Sequence, residues 1–271
     1  MSVTTILLDI ETVPEGLIEH GAQKACRAFM CDWLQAQPFG GDAQAWRAER
    51  DASYKAPRNY KDPAKLERHR AEFMQAGDEL AEAWLDKLNS EGVDAWERTA
   101  LDHIRGSVVV ICAKALDPAG KVLGVFEGSV DGPGVIGDRG DEAALLSSFW
   151  GWARTVTQSP ICWGGHYAST FDLPALWRRS WLKGVKPPTP PAGWNDVVDT
   201  AELWQVTKAN RDYVKLAVLA QAFGIGEKLE DDRYPCAWEA VSASDWAWIM
   251  ARCRSDLDLT VELWRHMTGR T

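Results

Sequence analysis

Ile6-Leu7-Leu8-Asp9-Ile10-Glu11-Thr12-Val13-Pro14 is an apolar run that ends in two carboxylates one residue apart. It reads as a buried strand over residues 3–12, stopped by Pro14, whose missing N–H cannot serve a ladder. Alternate residues of a strand point to one face. Asp9 and Glu11 therefore share a face with Leu7, while Ile6, Leu8 and Ile10 share the other. Two carboxylates side by side in low dielectric are costly unless a cation neutralises them. The C-terminal mouth of a strand, where this pair stands, is also where open sheets usually carry sites.

Downstream, residues 106–115 and 121–130 are β-branched runs separated by the turn signal Asp117-Pro118-Ala119-Gly120, which predicts a hairpin. Residues 132–140 form a glycine-rich loop. A stripe of Leu145, Leu146, Phe149, Trp150 and Trp152 predicts a helix over 141–157. A buried strand at 160–165, a helix at 171–182 and a short strand at 197–199 follow, then helices at 214–223 and 243–268. This order predicts an α/β fold, a mixed five-stranded sheet flanked by helices. The stretch between the first strand and the hairpin, about ninety residues, is too long for a plain loop. Helical patterns at 16–37 and 63–88 make 15–104 a helical insertion within a single domain, 1–271.

The net charge of −9 excludes a passive, uniformly basic coat for nucleic acid. The six cysteines show no CxxC and no zinc-type spacing, which fits free thiols in a reducing cytoplasm. The N-terminus has no basic n-region and no apolar run approaches the ~18 residues of a membrane span, so no membrane is expected. Most of the fifteen tryptophans suit core packing, with a few open to base stacking.

Two further acids stand at informative positions. Asp172, in Gly164-Gly165-His166-Tyr167-Ala168-Ser169-Thr170-Phe171-Asp172-Leu173-Pro174, falls at a helix start, where a plain N-cap would also suit it. In the last helix, Ile249, Cys253, Asp256, Leu257, Thr260, Leu263, Trp264 and Met267 fall on one stripe, so Asp256 faces inward. Asp258 lies about 200° round from it, on the solvated face with Arg254, Glu262 and Arg265. The bland partner for Asp256 is Arg252, one turn earlier.

Taken together, the acids resemble the DEDD family of 3′–5′ exonucleases, with its RNase H-like, DnaQ-like fold. Leu8–Pro14 resembles the first exonuclease motif, Gly165–Pro174 the second, and Cys253–Leu263 the third. Asn59–Pro63, Thr99–Asp102 and Val198–Thr200 are similar to a phage and prophage branch of predicted DNA-polymerase-B-like exonucleases. The resemblance implies catalytic and metal-ligating roles for Asp9, Glu11, Asp172 and Asp256, with two Mg²⁺ or Mn²⁺ ions. It implies hydrolysis of single-stranded DNA to nucleoside 5′-monophosphates, with Thr12 and Phe171 near the substrate. His166 either contacts substrate or caps the strand; Tyr167, where the family has Asn, either enters the site or packs as an aromatic; and Arg252 either binds the scissile phosphate or neutralises Asp256. RNA and short oligonucleotides are alternative substrates. The chain departs from the family where a Tyr or His orients the attacking water: Arg252 and Ala251 occupy those positions. Arginine is no base at neutral pH, so a catalytically impaired nucleic-acid-binding or regulatory protein is the competing reading.

Basic islands break the acidic background. Residues 47–70 carry eight Lys/Arg against four acids, and 177–186 carry Arg178, Arg179, Lys183 and Lys186 with no acid. Phosphate attraction and a solvated helix face both explain the first island. The second continues from Asp172 along one helix, which makes Arg178 and Arg179 candidates for the strand path.

Overall fold

The computed structural model describes residues 3–59, 61–131, 141–157, 160–191, 197–206, 214–229 and 233–270. The predicted glycine-rich loop at 132–140, and Tyr60, lie outside the described residues. The chain divides into two compact units, Met1–Ala22 with Thr99–Thr271, and Gln23–Arg98.

The first unit is built on a five-stranded sheet. Its strands are β1 (Thr4–Val13), β2 (Ser107–Leu116), β3 (Val122–Ser129), β4 (Ile161–Gly165) and β5 (Val197–Asp199). The sheet order is β3-β2-β1-β4-β5. β2 runs antiparallel to both β1 and β3, while β1, β4 and β5 are parallel. This mixed sheet, flanked by helices and interrupted after β1 by a helical insertion, is compatible with an RNase H-like fold. The predicted hairpin turn closes as its chemistry dictates. The Asp117 carboxylate accepts from Ala119 N and Lys121 N at 2.9 Å each, and Asp117 N donates to Lys121 O.

The helices follow in chain order: α1 (Leu17–His20), α2 (Ala22–Ala36), α3 (Ala43–Ala52), α4 (Pro63–Arg98), α5 (Glu142–Val156), α6 (Asp172–Leu182), α7 (Thr200–Gln205), α8 (Leu216–Phe223), α9 (Ala237–Ser242) and α10 (Trp246–Thr268). Helices α5 and α6 cover the face of Ile6 and Leu8. There Trp163 of β4 meets Trp150 and Trp177 edge-on, at 5.7 and 5.3 Å between ring centroids. The Trp150 indole donates to Ser180 Oγ at 2.8 Å, so the buried polar tip is satisfied. Helix α10 covers the other face, the one that carries Asp9. Its stripe of Ile249, Cys253, Leu257, Thr260, Leu263 and Trp264 is buried, as the periodicity requires. Among the described residues no helix is long and apolar enough to cross a membrane.

The second unit is helical. Helix α4 runs ten residues beyond the predicted end at 88. Asn89-Ser90-Glu91-Gly92 reads as a stop, but a Cβ at Gly92 would stand 2.5 Å from Met30 Sδ and 2.6 Å from Trp33 Cδ1. The glycine is there for close approach of α2, and the helix continues through it. Helix α3, missed from the sequence, starts at Asp42, whose carboxylate accepts from Gln44 N and Ala45 N. In this unit Tyr54 is used internally, its hydroxyl on His69 Nδ1 at 3.0 Å and its ring against Phe73. Arg47 and Arg50 pair with Asp51, and Arg47 also with Asp78. Those two cations of the 47–70 island are therefore not free for phosphate.

Candidate metal centre and cleft

β1 extends past the end of β4. Pairing with β4 reaches Leu7↔Gly164, and the strand then runs on through Asp9 and Glu11. The exposed ladder group at Ile10 is taken by Asp172 at the first turn of α6: Ile10 N donates to Asp172 Oδ1 at 3.2 Å. Asp172 is thus not an N-cap; Phe171 occupies that position without a side-chain cap. On the antiparallel side the register slips, with Glu11 opposite Val110 and Thr12 opposite Val108. The extra residue, Val109, gives its carbonyl to Val130 N at 3.0 Å. The bulge falls directly after Glu11, so Asp9 and Glu11 keep the regular ladder, opposite Cys112 and Val110, up to the point where it breaks.

Asp9, Glu11 and Asp256 each offer an oxygen, and these oxygens lie within 4.8 Å of one another. Helix α10 is held to β1 at this point, with Cys253 Sγ donating to the Asp9 carbonyl at 3.3 Å. Asp172 is outside that triad but shares one cleft with Asp9 and Asp256. The cleft, about 570 Å³, is also lined by Leu101, Tyr167, Phe171, Lys215 and Lys228. Three of the four predicted acids therefore form one cluster, and the fourth stands at its border.

The electrostatics are those of a surplus of negative charge. Burial, then Asp172, Glu11 and Asp256, push the Asp9 carboxyl well above the ordinary carboxylate range. Burial raises Glu11 to about 7 against the opposing pull of Arg252. Burial likewise raises Asp172 to about 7, although the Ile10 amide favours its ionised form. Asp256 is 8% exposed; its Oδ2 accepts from Lys228 Nζ at 2.5 Å, and its Oδ1 is buried with no hydrogen-bond partner. An all-oxygen donor set, carboxylates destabilised by their own repulsion and one orphaned carboxylate oxygen fit a hard divalent cation. Asp9, Glu11 and Asp256 could hold one.

The remaining predicted residues have mixed placements. Arg252 does not pair with Asp256; it lies 3.6 Å from Glu11, with its guanidinium 5.3 Å from the Trp248 ring. Lys228 takes the place at Asp256 that the helical spacing suggested for Arg252. His166 lines the cleft, but both ring nitrogens are engaged, Nδ1 with Thr200 Oγ1 at 2.9 Å and Nε2 with Val214 O at 3.0 Å. Burial lowers its pKa. Tyr167 adopts φ 60°, and its amide donates to Asp199 Oδ1 at 3.0 Å. Its hydroxyl accepts from Val214 N at 2.8 Å. His166 and Tyr167 thereby tie the start of the α8 segment to the end of β4. Phe171 stays on the cleft wall, 5.2 Å from the His103 ring. Thr12 is half-buried beyond the bulge and does not line the cleft.

The basic pair separates. Arg178 is exposed, with Nη1 on His103 Nδ1 at 2.7 Å. Arg179 is 5% exposed and donates to both oxygens of Glu142, at 2.9 and 2.6 Å, and to Ile104 O. The expectation that Arg179 meets a nucleic-acid strand is corrected: its position with Leu176 and Ser180 turns it under the helix. Lys215 and Lys228 are cleft residues that the sequence reading missed. The available signal was Gly224-Ile225-Gly226-Glu227-Lys228, a cation delivered by two glycines after a helix.

No family model matches this chain, and no curated protein matches it. Among solved structures it is similar to the family B DNA polymerase from the hyperthermophilic archaeon Pyrobaculum calidifontis. That match has 18% identity and a TM-score of 0.46, and it covers 62% of this chain and 22% of the polymerase. The chain thus spans about a fifth of the polymerase's length.

Proposed function

We propose that this protein is a metal-dependent 3′–5′ exonuclease that hydrolyses single-stranded DNA to nucleoside 5′-monophosphates. In this reading the chain 1–271 is one exonuclease domain carrying a helical insertion. The observation that carries it is the convergence of Asp9, Glu11 and Asp256 within 4.8 Å, with Asp9 and Asp256 sharing a cleft with Asp172 and an apolar wall. Asp9, Glu11 and Asp256 would hold Mg²⁺ or Mn²⁺, and Asp172 would complete a second seat beside Asp9. Two such ions supply Lewis acidity that activates water and stabilises a leaving 3′-oxygen.

The chain's own side chains prepare the site for a strand end. Leu101 and Phe171 offer an apolar surface on which a terminal base can rest. Lys215 and Lys228 place positive charge against the phosphate, which four carboxylates would otherwise repel. Arg178, exposed on α6, extends the basic path for the backbone behind it. His166 is spent on Thr200 and Val214, so it orders the wall and does not act as a base.

Incubating a 5′-labelled single strand with the protein and Mg²⁺ or Mn²⁺ tests this directly. A ladder shortening from the 3′ end is expected; no cleavage with either metal at high protein concentration sinks the reading. A parallel RNA strand separates the exoribonuclease alternative. The ion pairs of Lys228 with Asp256 and Arg252 with Glu11 favour a second reading, a nucleic-acid-binding or regulatory protein, because they already neutralise part of the cluster. Strand binding without a ladder is its signature.

A further inference from the structure

We propose that the helical insertion carries a second nucleic-acid surface, formed by the α3–α4 connection and the first turns of α4, which grips the phosphate backbone of the strand behind the end being cut. This rests on the exonuclease reading and adds to it a binding site outside the cleft.

Charge is sorted along the 47–70 island. Arg47 and Arg50 are paired with Asp51, and Arg47 also with Asp78. The other six cations, Lys55, Arg58, Lys61, Lys65, Arg68 and Arg70, are all exposed. Among the described residues, none of these six side chains has an ion pair or a hydrogen bond. A plain solvated helix face would use its own acids. Helical spacing offers Glu67 to Arg70 and Glu72 to Arg68, yet neither pair closes. Asp62 is turned to the backbone, its carboxylate accepting from Ala64 N at 3.0 Å. Residues 55–70 thus hold six Lys/Arg against two acids, in a chain of net charge −9. Like charges gathered without partners repel, and a polyanion offsets that repulsion.

The fold also holds these cations in one place. Helix α3 ends with Ser53 N donating to Glu49 O and Ser53 Oγ to Arg50 O. Tyr54 then turns back onto α4. Its hydroxyl is 3.0 Å from His69 Nδ1 and its ring 5.0 Å from that of Phe73, which also carries the Arg50 guanidinium at 3.8 Å. The start of the connection is therefore stapled to the second turn of α4, and Asp62 fixes its end, where Leu66 N donates to Asp62 O. Lys55 is brought to the same end of α4 as Lys61, Lys65 and Arg68. Lys65 and Arg68, three residues apart, share one side of the helix. A backbone pinned beneath the cations lowers the ordering cost of binding.

Composition selects the anion. Between Lys55 and Arg70, Leu66 is the one large aliphatic side chain, and it is half-buried. No aliphatic face is available there to anchor a basic helix in a lipid interface. A row of phosphates asks only for charge.

The test is fluorescence anisotropy of a labelled long oligothymidylate, in EDTA to prevent cutting, across a salt series. A thymidylate dinucleotide, small enough for the cleft alone, is followed by its hydrolysis in Mn²⁺. The variant combines Arg58→Ala, Lys61→Ala, Lys65→Ala and Arg68→Ala. Its salt slope for the long strand is expected to fall by about three, at roughly 0.7 per single-strand phosphate contact, and its affinity by about tenfold or more. Dinucleotide hydrolysis is expected to be unchanged. Arg58→Lys with Arg68→Lys is expected to keep the slope. Should the fourfold variant fold poorly, Arg58→Ala with Lys61→Ala serves, with about half the change in slope. An unchanged slope in the alanine variants, or an equal loss on the dinucleotide, overturns the second surface and leaves the exonuclease reading standing. A wild type that hydrolyses neither probe sinks the exonuclease reading, and a slope still lost in the alanine variants would keep the surface as that of a binding protein.

Discussion

Two clusters of buried charge in the sheet unit are built in opposite ways. At Glu142 the ledger of donors and acceptors closes. Its carboxylate takes two bonds from Arg179, one from Val108 N at 2.8 Å and a longer contact from Lys183 at 3.4 Å, while Arg179 also reaches Ile104 O. At the mouth of β1 it stays open. Asp9, Glu11 and Asp256 crowd together with only Lys228 and Arg252 as described side-chain cations paired to them, and Asp256 Oδ1 has no partner. The first cluster fixes where α5 and α6 sit. The second is held in a state that a divalent cation would relieve. Burial of charge alone does not mark function; the unfilled valence does.

Removing the surplus should separate stability from activity most sharply. Asp9→Asn is expected to lower nuclease activity on the order of a thousandfold, several kcal/mol at 1.36 kcal/mol per tenfold. The same variant should melt higher than the wild type without metal at pH 8, because one repelling carboxylate is gone. Activity assays paired with thermal melts check both, and a variant that loses activity by losing stability breaks the comparison.

The closed cluster should behave in reverse. Arg179→Ala leaves Glu142 buried and uncompensated, at a cost of about 3–5 kcal/mol and a fall in Tm of roughly 10 °C. Activity of the folded fraction should be retained. Pairing Arg179→Met with Glu142→Leu should recover much of the loss, since well-packed apolar replacements of buried ion pairs are often neutral.

Proton linkage gives the third and smaller effect. Glu11 and Asp172 rise from 4.5 and 3.8 in the unfolded chain to about 7 in the fold. The native state therefore holds extra protons between about pH 4 and 7, so the contribution of these two groups to metal-free stability falls as pH rises through that window and levels above it. Melts without metal should drop by several °C from pH 5 to 8, and Mn²⁺ should restore more at pH 8 than at pH 5. A flat profile would show that burial does not hold these two carboxyls above their ordinary range.

The smallest effect belongs to Arg178. Substitution to alanine should reduce the salt slope of strand binding by about one and leave stability unchanged. Its neighbour Arg179 should move stability and not the slope, which places the boundary between the two kinds of charge within a single peptide bond.

The sheet and its acids were legible because their signals are local. Strand alternation put Asp9 and Glu11 on one face, and helical periodicity turned Asp256 inward. The hairpin followed from Asp117-Pro118-Ala119-Gly120. What stayed hidden depends on contacts between segments. Lys228 meets an acid 28 residues away through a glycine turn with no period of its own. Arg252 and Asp256 have the spacing of an ion pair, yet each found a partner from another element. Arg179 could have been read from the stripe of Leu176 and Ser180, but the eye joins it to Arg178 as one basic run.

The bond from Ile10 N to Asp172 Oδ1 has a use of its own. Where β1 outruns β4, one amide proton is guarded by a single carboxylate in place of a neighbouring strand. That proton can trade with deuterium only when Asp172 lets go. Its exchange rate is a clock set between Asp9 and Glu11, and it reads how often the mouth of the sheet opens without any substrate, dye or label being added.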